Sequence, residues 1–530
     1  MHKRYPHLRI IFLVLAWASI AAAQSAGTFT ATGNMTMSRT NHTATLLLDG
    51  RVLITGGTSY PAATPGVPAA APNRLVTAEI YDPAMRTFTP VGNMTTGRSS
   101  HTATLLPDGR VLIAGGDSDL PGYPDDPPMN TTAELYDPST QTFTATGSMV
   151  TGRANFNATL LANGKVLITG GVTRFTGSGL FVGDAELYDP SSGAFTPTGP
   201  YAGTLNNLVD GVDGFDSTST LLADGTVLFA TEPQSQVYDP VTGTFSLSGT
   251  LVVTLPFTTT STVIPSYIAG RTASLLMNGK VLAAGGEQED LGRFTSTELF
   301  DPATGDFSFT GDMTVARDGH TATLLPDGTV LMAGGESQTC SGNGCWFSGS
   351  DGTAELYDPA KGAFATAGSM TQPREWQTAT LLNNGDVLIA GGLEYGGIGI
   401  FNGSFATAEL YHPASPVPAP SLFSILGDGQ GQGAIWHAET GLIASSQTPA
   451  VAGEVLSMYT NNLANGGVIP PQVSVGGQLG GAVYFGPAPG YPGYFQVNFQ
   501  VPPGAAAGST VPVRLTYLGR SSNAVTIGVN

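Results

Sequence analysis

Three patterns in this sequence carry residue types that can do chemistry. The first is an Arg-x-x-His element, present as Arg39 and His42, Arg98 and His101, and Arg317 and His320, with Arg153 and Arg374 keeping only the arginine. Guanidinium and imidazole groups together can bind an anion or the hydroxyls of a sugar, and the same groups can satisfy loop carbonyls inside a scaffold. The second is acidic: Asp117, Asp119, Asp125 and Asp126 in one loop, and Asp210, Asp213 and Asp216 in another. Carboxylate oxygens at these spacings suit calcium, although neither loop matches a defined calcium motif. The third is Cys340 with Cys345, the only two cysteines, whose closeness predicts one small disulfide in an oxidising compartment. Trp346 and Trp376 add aromatic faces that could stack on a sugar or anchor a partner. No nucleophile elbow, phosphate loop, HExxH helix or zinc cysteine cluster occurs.

These residues are held by a repeated element, seen best as HTATLLPDGRVLIAGG from His101 to Gly116. Two apolar runs flank an Asx-Gly dipeptide, which predicts a β-hairpin with positive φ at both central residues. Seven copies follow, turning at Gly50, Gly109, Gly164, Gly225, Gly279, Gly328 and Gly385; six of them end in a Gly pair, and the fourth has Ala230-Thr231 instead. A third strand then ends at Tyr81, Tyr136, Tyr188, Tyr238, Phe300, Tyr357 or Tyr411, mostly as Tyr-Asp-Pro. A fourth opens on Phe88, Phe143, Phe195, Phe245, Phe307 or Phe364. One such unit cannot bury both its faces, so the units must stack as propeller blades.

The last repeat lacks a fourth strand, for the chain after Pro413 enters a Pro-rich linker. The matching segment, GTFTATGNM, stands before the first hairpin, with Phe29 as the seventh phenylalanine. This predicts a seven-bladed β-propeller closed by its N-terminal strand, which removes an exposed sheet edge. Hairpin, Gly pair, E-x-Y-D-P strand and final aromatic strand resemble the kelch repeat of galactose-oxidase-like propellers, from Gly27 to Pro413. The resemblance implies that first strands line the axis, so the Arg-x-x-His residues would form a cationic collar at one mouth of the channel. A galactose-oxidase centre needs Tyr beside a first-strand His, a second Tyr cross-linked to Cys, and a His from the C-terminal domain. Here Asn41, Ser100 and Gly319 precede the three histidines, both cysteines share one loop, and Tyr411-His412 ends a third strand on the opposite face. That departure weighs against copper as a cofactor and leaves calcium as the one metal the spacing admits.

Residues 421–530 form short β runs that predict a small β-sandwich, and PAVAGEVLSMY and SNAVTIGV resemble an Ig-like module of large secreted bacterial proteins. The chain thus divides into 1–23, a signal peptide cleaved after Ala23; 24–413, the propeller; 414–420, the linker; and 421–530, the sandwich. With 71 Gly and 37 Pro in 530 residues, an all-β, turn-dense protein is predicted. A formal charge of −19 without a basic run in the mature part excludes nucleic acid, and no apolar run reaches the ~20 residues of a membrane span.

Residues repeated in every blade, such as Glu79, Glu134, Glu186, Glu298, Glu355 and Glu409, are expected to be scaffold. The functional expectation is a secreted, monomeric, non-enzymatic binding or interaction scaffold for an extracellular protein or glycan, with a copper radical oxidase or a passive envelope or adhesion component as alternatives. Binding is expected on the face of the long, dissimilar loops, where Trp346, Trp376 and the Arg-His collar would open.

Overall fold

The computed structural model describes residues 27–61, 72–117, 129–173, 182–202, 218–230, 234–251, 253–254, 261–262, 269–288, 292–341, 344–396 and 401–530. The expected signal peptide therefore lies outside the described residues, as do Asp119 to Asp126 and Asp210 to Asp216. The fold is all-β, with no helix among the described residues, and so with none long and apolar enough to cross a membrane.

Seven four-stranded antiparallel sheets form the larger part. Sheet one runs Thr43–Leu46, Val52–Thr55, Ala78–Asp82 and Thr87–Pro90, and each later repeat supplies the next. The seventh takes Thr378–Leu381, Val387–Ala390 and Ala408–His412, and its fourth strand is Thr28–Ala31, with Phe29 opposite Tyr411. The first strands touch one another in sequence, and the first strand of sheet seven touches that of sheet one. This closed ring is the expected β-propeller.

Packing explains the sequence of each strand. Second strands such as Val52–Thr55 and Val111–Ala114 are buried throughout, because a neighbouring sheet covers each face. One core cluster, for example, joins Val52, Ile54 and Tyr81 of sheet one to Leu388, Ala390 and Leu410 of sheet seven. Third-strand aromatics lie against fourth-strand phenylalanines, as in Tyr81 with Phe88 at 4.7 Å and Phe29 with Tyr411 at 5.0 Å. The Asx-Gly turns differ from expectation: the glycine alone has positive φ, 88° at Gly50. Leu47 N–H bonds Arg51 O at 2.8 Å, while the Asp49 carboxylate accepts from Arg51 N–H at 3.0 Å, so the loop is longer than a two-residue turn.

The C-terminal part is a two-sheet sandwich. Val455–Thr460 and Phe495–Gln500 lie in one sheet, Gln472–Val475 and Gly508–Tyr517 in the other. Leu456, Met458, Val497 and Phe499 meet Val473, Val475, Val513 and Leu515 in one core. The sandwich docks on the Asx-Gly turns: Leu479 N–H bonds Pro107 O at 2.7 Å, Val468 N–H bonds Met277 O at 3.1 Å, and Ser521 N–H bonds Asn383 O at 3.3 Å. The face carrying the long loops is thereby left uncovered by the sandwich.

Candidate functional site

Where the preceding residues are described, each first strand is led by a short segment, which in sheet one is Arg39-Thr40-Asn41-His42. The third lead residue is left-handed, at φ 51° in Asn41, 53° in Ser100, 50° in Asn155, 58° in Gly319 and 53° in Trp376. Backbone bonds link these positions from sheet to sheet: Ser100 N–H to Asn41 O and Asn155 N–H to Ser100 O at 3.0 Å, and Trp376 N–H to Gly319 O at 3.1 Å. They form an inner girdle at the axis on the long-loop face. A tryptophan in this region carries about 1–3 kcal/mol of strain, which its surroundings must hold in place. Gly319 supplies part of that support, because a Cβ there would stand 3.1 Å from the Trp376 indole. Trp376 is half-buried on this rim.

The arginines do not ring the channel mouth as an open collar. Arg39, Arg98, Arg153, Arg317 and Arg374 are wholly buried, each paired with the recurrent third-strand glutamate of its own sheet. The distances are 2.7 Å for Arg39–Glu79, 2.9 Å for Arg98–Glu134 and Arg153–Glu186, and 3.0 Å for Arg317–Glu355 and Arg374–Glu409. Each arginine also donates to the first carbonyl of its Gly pair, as Arg98 does to Gly115 at 2.9 Å. The second glutamate oxygen accepts a backbone N–H from the incoming link, as Glu134 does from Thr95 at 2.9 Å. In sheet four Gln236 takes the glutamate's place and accepts from Ala202 N–H at 2.8 Å. The glycine pair is required by this closeness: a Cβ on Gly56, at φ 59°, would lie 2.5 Å from Arg98 O.

The histidines are buried between neighbouring first strands. Nε2 of His42 bonds Thr378, that of His101 bonds Thr43 and Thr55, and that of His320 bonds Thr272, at 3.1 to 3.2 Å. Burial, with Arg98 and Arg39 nearby, pulls His101 down to about 3; burial and Arg317 do the same to His320, also to about 3. His42 is lowered well below 6.5 by burial, Arg39 and His101. All three are neutral imidazoles at pH 7.

A different group converges at the girdle. The residue after the lead arginine pairs back to the residue after the Gly pair, as Asp318 with Glu336 and Glu375 with Leu393, and Ala269 with Glu287. In sheets five to seven at least one residue of each such pair is acidic, and carboxylate oxygens of Glu287, Asp318 and Glu336 lie within 4.8 Å of one another. Arg293 contacts all three, reaching Glu287 at 3.1 Å and making close ion pairs with Asp318 and Glu336. Burial pushes Asp318 up to about 7 against the pull of Arg293. Glu375 is 1% exposed, and the charges it feels most are Glu336 and Asp318; burial and these neighbours push it up to about 9. Neither of its oxygens has a geometrically satisfied hydrogen bond among the described residues, and the nearby Ser350 hydroxyl offsets the upward push only in small part. Tyr395 stands nearby, raised by burial and by the charges of Glu375 and Glu336.

The other expected residues fall elsewhere. Asp117 pairs with Arg74, whose Nε lies 2.7 Å from its carboxylate. Cys340 and Cys345 face one another across an antiparallel pair, as do Thr339 and Trp346, but the side chains of these four fall outside the described residues. Tyr411 is buried against Phe29, and His412 bonds Asp386 and Thr30, each at 2.8 Å, on the turn face. His437, the C-terminal histidine, bonds Glu454 and Thr448 O within the sandwich. The tyrosine and histidine donors of a copper radical centre are therefore not assembled among the described residues, and the donors that do converge are carboxylates.

No family model matches the chain, and no curated protein does. Among solved structures it is similar to a novel fungal alcohol oxidase of the AA5 family in complex with copper, at 16% identity and a TM-score of 0.56, over 96% of this chain and 100% of that one. Two expectations are corrected by that likeness. The reading as a non-enzymatic binding scaffold gives way, because the protein sharing the architecture end to end is an enzyme. The judgement against copper gives way too, because that protein holds copper, although this chain's tyrosine–histidine set does not reproduce a site for it. By fold, the chain is an all-β propeller protein similar to the galactose-oxidase-like AA5 alcohol oxidases.

Proposed function

We propose that the chain is a secreted oxidase built on the galactose-oxidase-like, kelch-type propeller, acting on hydroxyl-bearing or aldehyde substrates of glycan type at the long-loop face. The observation that carries this reading is the end-to-end likeness to an alcohol oxidase. Docking of the sandwich on the opposite turns supports the choice of face. The overall reaction is a two-electron oxidation of an alcohol to the aldehyde, or of an aldehyde, as the hydrate it forms with water, to the acid, with dioxygen reduced to hydrogen peroxide. On that face the chain's own residues supply three things. Trp376 offers an aromatic surface on which the apolar face of a sugar can stack. Asp318 and Glu375 lie buried beneath that surface as carboxyl groups whose burial favours the protonated form. Arg293 keeps the neighbouring carboxylates in place.

The same reading takes residues 1–23 as the export signal, 24–413 as the propeller, 414–420 as the linker and 421–530 as an Ig-like sandwich, with a Cys340–Cys345 disulfide pinning the loop of sheet six. The test is oxygen uptake and peroxide release by purified protein, first stripped with chelator and then loaded with copper, manganese or calcium, over a panel of simple alcohols, aldehydes and sugars. Turnover above the stripped control is expected with one of the metals. If every combination stays at the rate of the stripped protein, the oxidase reading fails.

A further inference from the structure

Among the described residues, the carboxylates at the girdle outnumber the cations that face them. Glu287, Asp318, Glu336 and Glu375 come together from sheets five, six and seven, and Arg293 is the guanidinium set among them. Fully ionised, the group carries four negative charges against one positive, in a place where Asp318 is 3% and Glu375 1% exposed. Arg293 is committed to the first three carboxylates. Glu375 is left with both oxygens unpartnered, facing Glu336 and Asp318. A buried carboxylate without hydrogen bonds or a counter-charge is expensive to keep, and a fold retains one where something else satisfies it. Outside sheets six and seven the equivalent position in the described sheets is Thr40, Ser99, Ala154 or Ala269, so the scaffold itself does not require an acid there.

We propose that Glu287, Asp318 and Glu336, with the unpartnered Glu375 beside them, form a binding site for a hard divalent cation of the calcium or manganese class. The donors are all oxygen, and their charge suits such an ion. Its residues are not those of the acidic loops at 117–126 and 210–216 that the sequence offers for calcium. Binding would complete the charge balance at the inner girdle and fix Trp376, the residue next to Glu375. The site does not depend on the oxidase reading, because cation binding is measured without turnover.

The experiment uses full-length mature protein stripped with chelator and titrated with Ca2+ and Mn2+ by calorimetry, and with Tb3+ by luminescence excited through tryptophan. One saturable high-affinity site is expected, with a rise in melting temperature on Ca2+ or Mn2+ addition. Glu375→Gln, which keeps the side-chain shape, should weaken binding roughly tenfold or more. Glu287→Gln, at a partly exposed position, should weaken it less and serves as a second test if the first variant folds poorly. The proposal is overturned if neither cation binds saturably, if both variants bind like the parent, or if Asp125→Asn with Asp126→Asn abolishes binding while Glu375→Gln leaves it intact.

Discussion

Replacing His42, His101 and His320 together by glutamine should make the protein more resistant to acid. All three are neutral in the fold because burial and adjacent arginines hold them far below 6.5, to about 3 for His101 and His320. In the unfolded chain each takes up a proton near its ordinary value of about 6.5. A folded value below the unfolded one means stability that is complete above about pH 6.5 and is lost as pH falls toward 3. The loss is about 1.4 kcal/mol per pH unit for each histidine, so at pH 5 it reaches about 2 kcal/mol each for His101 and His320 and about 4 kcal/mol for the two, with His42 adding in the same direction. Asp318 and Glu375 act in the opposite sense, since their raised values let the folded state hold protons that the unfolded state releases. Both acids are present in parent and variant, so they cancel in the difference. Glutamine is chosen because Gln377 already occupies this position in sheet seven, where its Nε2 donates to Ala333 O at 2.9 Å. The assay is urea unfolding of both proteins at pH 7.5 and pH 5.0. The variant should gain several kcal/mol on the parent between the two. An unchanged gap would show that the histidines are protonated in the fold, or are not buried as described.

Two further perturbations address the scaffold. Arg98→Met leaves Glu134 buried without its partner and should cost about 3–5 kcal/mol, much of which Glu134→Leu in the same chain should restore; a thermal melt of single and double variants checks both. Deleting residues 27–35 removes the fourth strand of sheet seven and should lower the melting temperature far more than trimming a free terminus, so a truncated protein that melts like the intact one would refute closure by that strand.

Most of the fold was legible because each repeat carries its own punctuation. Asx-Gly, Gly-Gly and Tyr-Asp-Pro mark turns, and TFTA at Thr28–Ala31 matches the fourth strands well enough to assign it to the seventh sheet. The fate of the arginines was less visible, since a sequence shows a charge and not its partner. A signal was present all the same: the fourth repeat lacks the lead arginine and also has Gln236 where the others have glutamate. In the fifth, Arg271 stands at the histidine position and reaches Glu298 at only 3.6 Å. The acidic group escaped notice because Glu287, Asp318, Glu336 and Glu375 occupy two different positions of three repeats. Only the pairing of the residue after the arginine with the residue after the Gly pair brings them to one place.

The closing strand also sets a clock. Thr30 and His412, which it brings together, are 382 residues apart. At a synthesis rate of roughly 5–20 residues per second, the first strand waits roughly 20 to 80 s for its partner, while earlier sheets can complete in the order they emerge. Thr28–Ala31 is the outermost strand of its sheet, with Thr378–Leu381 at the axis. The late arrival therefore docks from the outside of the disc and threads through nothing. Until it does, Ala408–His412 stands as an open edge, and another chain's first strand, identical in sequence, could take the place. Crowded refolding should thus produce ring-swapped dimers, whereas dilute refolding should produce single closed rings.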